Sequence, residues 1–157
     1  TDLVKCGRRI YPVGRLDLNS QGLIIMTNDG ELTNKLTHPR HEIPKIYEVD
    51  VVGKVTTEQL TILNSSMTID EYVLLPVKTE FISKNDKYTT LRMTLFEGRN
   101  RQIRKMCEQV GLKVAKLTRI AIGNITLDNL QCGKWRYLTN QSPKRKSDWQ
   151  KSQRKGA

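Results

Sequence analysis

Arg15 and Asp17 are the first residues of the chain whose types and spacing could do chemistry. Two positions apart, they point to one face of an extended segment. A cation beside a carboxylate keeps it ionised, and so usable as a nucleophile or a base. Taken alone, an Arg-x-Asp pair is more often a surface ion pair. A second concentration of charge lies further on, where Arg99, Arg101, Arg104 and Lys105 crowd the first turns of an expected helix. The helix macrodipole disfavours cations at that end, so a phosphate-rich partner would compensate for them. His38 and His41 flank Pro39, but no carboxylate or cysteine ligand pattern accompanies them. They read as part of a loop that meets solvent or a partner, and not as a metal site.

These side chains need elements to hold them. Asp17 lies in Gly14–Gly30, GRLDLNSQGLIIMTNDG, with Ile10–Val13 as an extended lead-in. The unbroken apolar run Leu23–Met26 predicts a strand buried on both faces. Asn28, three residues before Glu31, predicts a helix start there, and Glu31–Thr37 continues it with Leu32 and Leu36 on one face. Pro39 disfavours helix at His38. Ile43–Val52 reads as a strand that carries Lys45 and Tyr47 on one face; by itself, Tyr47 could simply pack on a neighbour. Thr56 or Thr57 caps a helix to about Leu63. Residues 64–76 look irregular. Val77–Ser83 and Tyr88–Phe96 read as strands joined by a polar hairpin loop. Arg101–Val110 has Ile103, Met106, Cys107 and Val110 at helical spacing. Lys113–Leu127 is β-rich with a break near Gly123, and Trp135–Leu138 reads as a last short strand.

The chain has 157 residues, enough for one domain with a core, and its formal net charge is +11. Nucleic acid is the first partner such a balance suggests, and an acidic membrane surface the second. No apolar run approaches the roughly 20 residues of a membrane helix, and no signal peptide is visible. Cys6, Cys107 and Cys132 are odd in number and widely spaced. They predict free thiols in a reducing compartment, hence a cytoplasmic protein without a disulfide or zinc framework. Residues 143–157 carry six basic residues and one acid, with no apolar periodicity. They read as a basic tail, disordered when free, after a domain spanning 1–142. The first residue is Thr1, so the native protein is expected to begin further upstream.

GRLDLNSQGLIIMTNDG closely resembles the catalytic motif of RNA pseudouridine synthases of the RsuA/RluB/RluE/RluF family. Lys45-Ile46-Tyr47 is similar to that family's Lys-x-Tyr motif, and Glu97–Gly111 to its basic helix motif. Leu117-Thr118-Arg119 through Ile122-Gly123 resembles the motif that follows. The resemblance covers nearly all of residues 8–140. It implies an α+β fold, with a curved, largely antiparallel (mixed) sheet, packed helices and an active-site cleft across the sheet. It implies that Asp17 is the catalytic nucleophile or base, that Arg15 and Arg104 pair with it, and that Tyr47 stacks on the target base. Leu117 would form the pocket floor, and Lys45, Arg99, Asn100, Arg101 and Gln102 would contact RNA. It further implies a monomer that acts on ribosomal RNA, needs no metal or redox cofactor, and has no membrane partner.

Arg-Asn-Arg-Gln-Ile-Arg at 99–104 looks more like the large-subunit members, which favours 23S over 16S rRNA. The chain departs from the family at its front, where a small RNA-binding domain and a Lys-Pro-x-Gly strand are missing. A noncatalytic RNA-binding or ribosome-assembly module would also explain the charge, and a nucleic-acid glycosidase the carboxylate. The binder leaves unexplained why Asp17 sits in a cationic site, since a carboxylate repels phosphate.

Overall fold

Three short strands open the chain: β1 (Tyr11–Val13), β2 (Ser20–Gly22) and β3 (Ile25–Thr27). The structure is a computed structural model and describes residues 3–138. β1 and β3 pair antiparallel as a separate two-stranded ribbon, with Val13 opposite Ile25. This corrects the expectation of a strand buried on both faces. Leu23 and Ile25 are buried, but Ile24 between them, just before β3, is 42% exposed.

α1 (Gly30–Thr37) follows. Its N-cap is Asp29 and not Asn28: Asp29 Oδ1 accepts from the backbone N–H of Glu31 at 2.9 Å and of Leu32 at 3.2 Å. That satisfies two of the amides a helix start leaves open. Leu36 then packs with Val13, Leu23, Ile25, Ile43, Ile122 and Ile125 as a small core. A 3-10 turn at Pro39–His41 leads into β4 (Lys45–Val52).

α2 (Thr57–Leu63) starts with a complete capping box between Thr56 and Gln59. The stretch that read as irregular contains a small hairpin, β5 (Thr68–Ile69) with β6 (Tyr72–Val73). β7 (Lys78–Lys84), β8 (Tyr88–Leu95), α3 (Gln102–Gln109), β9 (Val114–Ile122) and β10 (Ile125–Thr126) complete the order. The main sheet runs β10-β9-β4-β8-β7, with β4 at its centre. All of those pairings are antiparallel, and β2 adds to β9 in parallel. The fold is α+β with a mostly antiparallel, mixed sheet.

The larger core lies on the sheet face that carries Val49, Leu91, Met93 and Leu117, under Ile103, Met106 and Cys107 of α3. Burying a side chain of this size contributes about 1.5–3 kcal/mol. Trp135–Leu138 is not a strand. There the ring of Trp135 meets Tyr137 edge-on at 5.1 Å, and Arg136 Nη2 donates to the Thr126 carbonyl at 2.6 Å. The tail at 143–157 lies outside the described residues.

Candidate active site

Asp17 opens a tight turn. The N–H of Ser20 donates back to the Asp17 carbonyl at 2.9 Å, which projects Leu18 and Asn19 outward. Ser20 then starts β2, which lies on β9 with Ser20 beside Leu117 and Gly22 beside Arg119. The carboxylate-bearing turn is thus braced on the strand that forms the pocket floor. Gly22 makes the close approach possible: a Cβ there would lie 2.2 Å from the Arg119 carbonyl oxygen, and its φ is +114°.

Asp17 faces a cleft of about 550 Å³. The cleft is the open end of the sheet face whose other end is the larger core. Tyr47, Leu95, Leu117 and Ile122 line it from β4, β8 and β9, and Gln102 and Ile103 from the start of α3. Arg15, Lys45, Arg99, Asn100, Arg101 and Arg119 also line it. Eight of the ten residues singled out from sequence as catalytic or RNA-binding therefore come together with Asp17 in one place; Arg104 does not line the cleft.

The pairing of Asp17 differs from the expectation. Among the described residues its ion-pair partner is Arg101, with Nη1 4.0 Å from Oδ2. Arg15 lines the cleft without such a contact. Arg104 points its Nη2 at the Asn19 carbonyl, 2.8 Å away, and at Ser20 Oγ, 3.4 Å away. The reason is geometric. Arg101 precedes α3 in the left-handed conformation, φ 52°, which turns its side chain toward Asp17. Arg104 is three residues on and meets the far side of the turn. Arg104 clamps the backbone that carries Asp17, and Arg101 meets the carboxylate.

Other expected RNA contacts are partly engaged within the protein. Arg99 lies over the Tyr72 ring at 3.0 Å and beside Glu97 at 3.5 Å. Gln102 is 4% exposed and accepts from the Arg99 N–H at 3.3 Å. Cys107 is fully buried, and burial pushes its thiol up to about 12. It packs as an apolar side chain of the larger core. His38 Nδ1 accepts from the Arg40 N–H at 3.2 Å. Among the described residues no group of three His, Cys, Asp or Glu side chains gathers as a metal site, and no helix is long and apolar enough to cross a membrane.

Arg119 belongs to the Leu117-Thr118-Arg119 motif, but sequence reading assigned it no role in the site. It is 6% exposed, and its Nε donates to the Leu23 carbonyl at 2.9 Å. It directly opposes Tyr47 across β4 and β9. Strand alternation offered a signal, since Arg119 is two residues after Leu117 and shares its face. Burial, and secondly the charge of Arg119, lower the Lys45 ammonium to about 8.

The cleft thus gathers an aromatic ring, a carboxylate and several cations. Residues 4–109 match the family described as RNA pseudouridylate synthase. The chain is 42% identical over 130 residues to an RNA pseudouridine synthase of Aquifex aeolicus, covering 83% of this chain and 52% of that protein. It is 41% identical to ribosomal large subunit pseudouridine synthase B of Bacillus subtilis, covering 88% and 57%. It is 39% identical to the dual-specificity RNA pseudouridine synthase RluF of Escherichia coli K12, covering 88% and 47%. The chain thus spans about half the length of these relatives. A crystal structure of a pseudouridylate synthase superposes with a TM-score of 0.77 at 29% identity, over 83% of this chain and 56% of that one. From the front strands to the cationic helix, the chain belongs to the RNA pseudouridylate synthase family.

Proposed function

We propose that this protein converts a uridine of ribosomal RNA, in the cytoplasm, to pseudouridine, with Asp17 as the nucleophile or base that starts the reaction. The observation that carries this reading is the meeting of Asp17, Arg101, Tyr47 and Leu117 around one cleft in a chain of this family. A uridine in folded RNA must first leave its stack, at a cost of a few kcal/mol. Stacking on Tyr47 returns about 1–3 kcal/mol. Exposed Arg15 and Arg101 at the rim meet the flanking phosphates, and Arg101 also offsets the repulsion between those phosphates and Asp17. The N1–C1′ bond then breaks, the uracil turns, and a C5–C1′ bond forms.

The large-subunit name of the Bacillus subtilis relative and the run at 99–104 support 23S rRNA as the substrate. The test is incubation of wild-type protein and Asp17→Asn with 23S and 16S transcripts, followed by chemical mapping of pseudouridine. Conversion of one 23S uridine by wild type alone is expected. Conversion of 16S alone would correct the substrate. Binding without conversion of either transcript would return the noncatalytic module.

A further inference from the structure

Across β4 and β9, Lys45 opposes Ile122 and Ile46 opposes Ala121, but Tyr47 opposes Arg119, so Ile120 is an extra residue. Such a bulge re-aims every side chain beyond it. Without it, Arg119 would oppose Glu48 on the other face, where Arg92 lies 3.4 Å from Glu48. The bulge takes Arg119 away from that carboxylate and sets it beside Tyr47 in the cleft. There, Nη2 of Arg119 is buried and has no hydrogen-bond partner among the described residues. Lys45 lines the same floor, and among the described residues neither cation enters an ion pair. An unmet buried donor is costly, and two desolvated cations side by side are more so. The arrangement calls for an electron-rich guest.

Depth identifies that guest. A phosphodiester stays in line with its chain, at the rim where Arg15, Arg99 and Arg101 are exposed. What enters next to Tyr47 is the base. Resting on the pseudouridine reading above, we infer that Arg119, with Lys45, receives the carbonyl edge of the uracil and stabilises the charge it gains when the glycosidic bond breaks.

In that step the N1–C1′ electron pair leaves with the ring and spreads onto its carbonyl oxygens. The electron deficiency at C1′ is met by the Asp17 carboxylate or by loss of a sugar proton. Later the ring gives a pair of electrons from C5 to C1′, which displaces the Asp17 carboxylate where it had bonded or accompanies return of the sugar proton where one was lost. C5 loses its proton and N1 takes one, so substrate and product are isomers. Fixed cations aimed at charge that develops during reaction act most strongly where water is excluded.

The test compares single-turnover cleavage of the N1–C1′ bond at saturating RNA, with uridine or 5-fluorouridine at the target position. Fluorine withdraws electrons and makes the ring a better anionic leaving group. Arg119→Lys and Lys45→Met are expected to slow the uridine substrate tenfold or more with little change in Kd. The fluorinated substrate should recover at least threefold of that loss, relative to wild type. Melting temperatures show that each variant is folded, and Lys45→Met spares the Arg119 bond to Leu23. Equal slowing of both substrates in folded variants overturns the inference, since a structural role has no leaving-group dependence. Weaker binding with a shallower salt dependence and an unchanged rate overturns it in favour of a phosphate contact. Wild-type protein that leaves both substrates intact overturns the pseudouridine reading itself.

Discussion

Arg101 holds Nη1 4.0 Å from Oδ2 of Asp17 from a backbone in the left-handed conformation, while Arg104 holds the carbonyl of Asn19 two residues beyond that carboxylate. Arg15 and Arg104 were both expected to pair with Asp17; instead Arg101 meets the carboxylate and Arg104 its turn. Arg101→Ala is expected to lower the single-turnover rate tenfold or more with modest loss of stability. Arg104→Ala removes a charge-assisted hydrogen bond, which contributes about 1.5–3 kcal/mol, and should lower the melting temperature as well as the rate. Denaturation curves and single-turnover rates on both variants separate these roles. A fully stable, inactive Arg104→Ala would return Arg104 to the carboxylate.

Tyr47 is tested by two replacements. Tyr47→Phe keeps the ring, and Tyr47→Ala removes it. The alanine variant is expected to lose affinity for the flipped base by roughly 1–3 kcal/mol. If the hydroxyl moves a proton, the phenylalanine variant slows turnover well beyond its effect on binding. A phenylalanine variant as fast as wild type leaves stacking as the role of Tyr47.

Gly22→Ala tests the brace between β2 and β9. The new Cβ would meet the Arg119 carbonyl at 2.2 Å and its nitrogen at 2.7 Å, both backbone atoms of a paired strand. The expected destabilisation is about 3–5 kcal/mol, measured by urea unfolding. Gly30→Ala, with nothing within 4 Å of the added carbon, should stay within about 0.5 kcal/mol of wild type. Equal stability of the two variants would remove the close approach as an explanation for Gly22.

Lys45 gives the chain a pH signature. Its ammonium is lowered from 10.5 to about 8, first by burial and then by Arg119. Below pH 8 the folded and unfolded chains both hold the proton, and the buried charge lowers stability throughout. Between about 8 and 10.5 the folded chain has released it and the unfolded chain has not, so this group's contribution to stability rises with pH. Lys45→Met should therefore exceed wild type in stability at pH 7 by on the order of 2–3 kcal/mol, with the gap closing toward pH 10. A gap that stays constant over that range would show that Lys45 does not titrate within it.

Much of the fold was legible in the residues themselves. Strand-like runs on either side of a polar loop placed β7 and β8, the extended run Ile43–Val52 put Lys45 and Tyr47 on one face of β4, and helical spacing of Ile103, Met106 and Cys107 placed α3. These patterns are local, and burial of one face enforces them. The ordered motifs named the family, and eight of the ten expected site residues line the cleft with Asp17. What the chain order could not carry is which side chain meets which across elements far apart in sequence. Arg101 stands at the N-cap and Arg104 in the first turn of one helix, and the left-handed backbone of Arg101 together with the turn at Asp17–Ser20 decides which reaches the carboxylate. The extra residue Ile120 is invisible in a β-rich run, because a bulge exists only against a partner strand. Pairing with β4 creates it, and with it the face on which Arg119 lies.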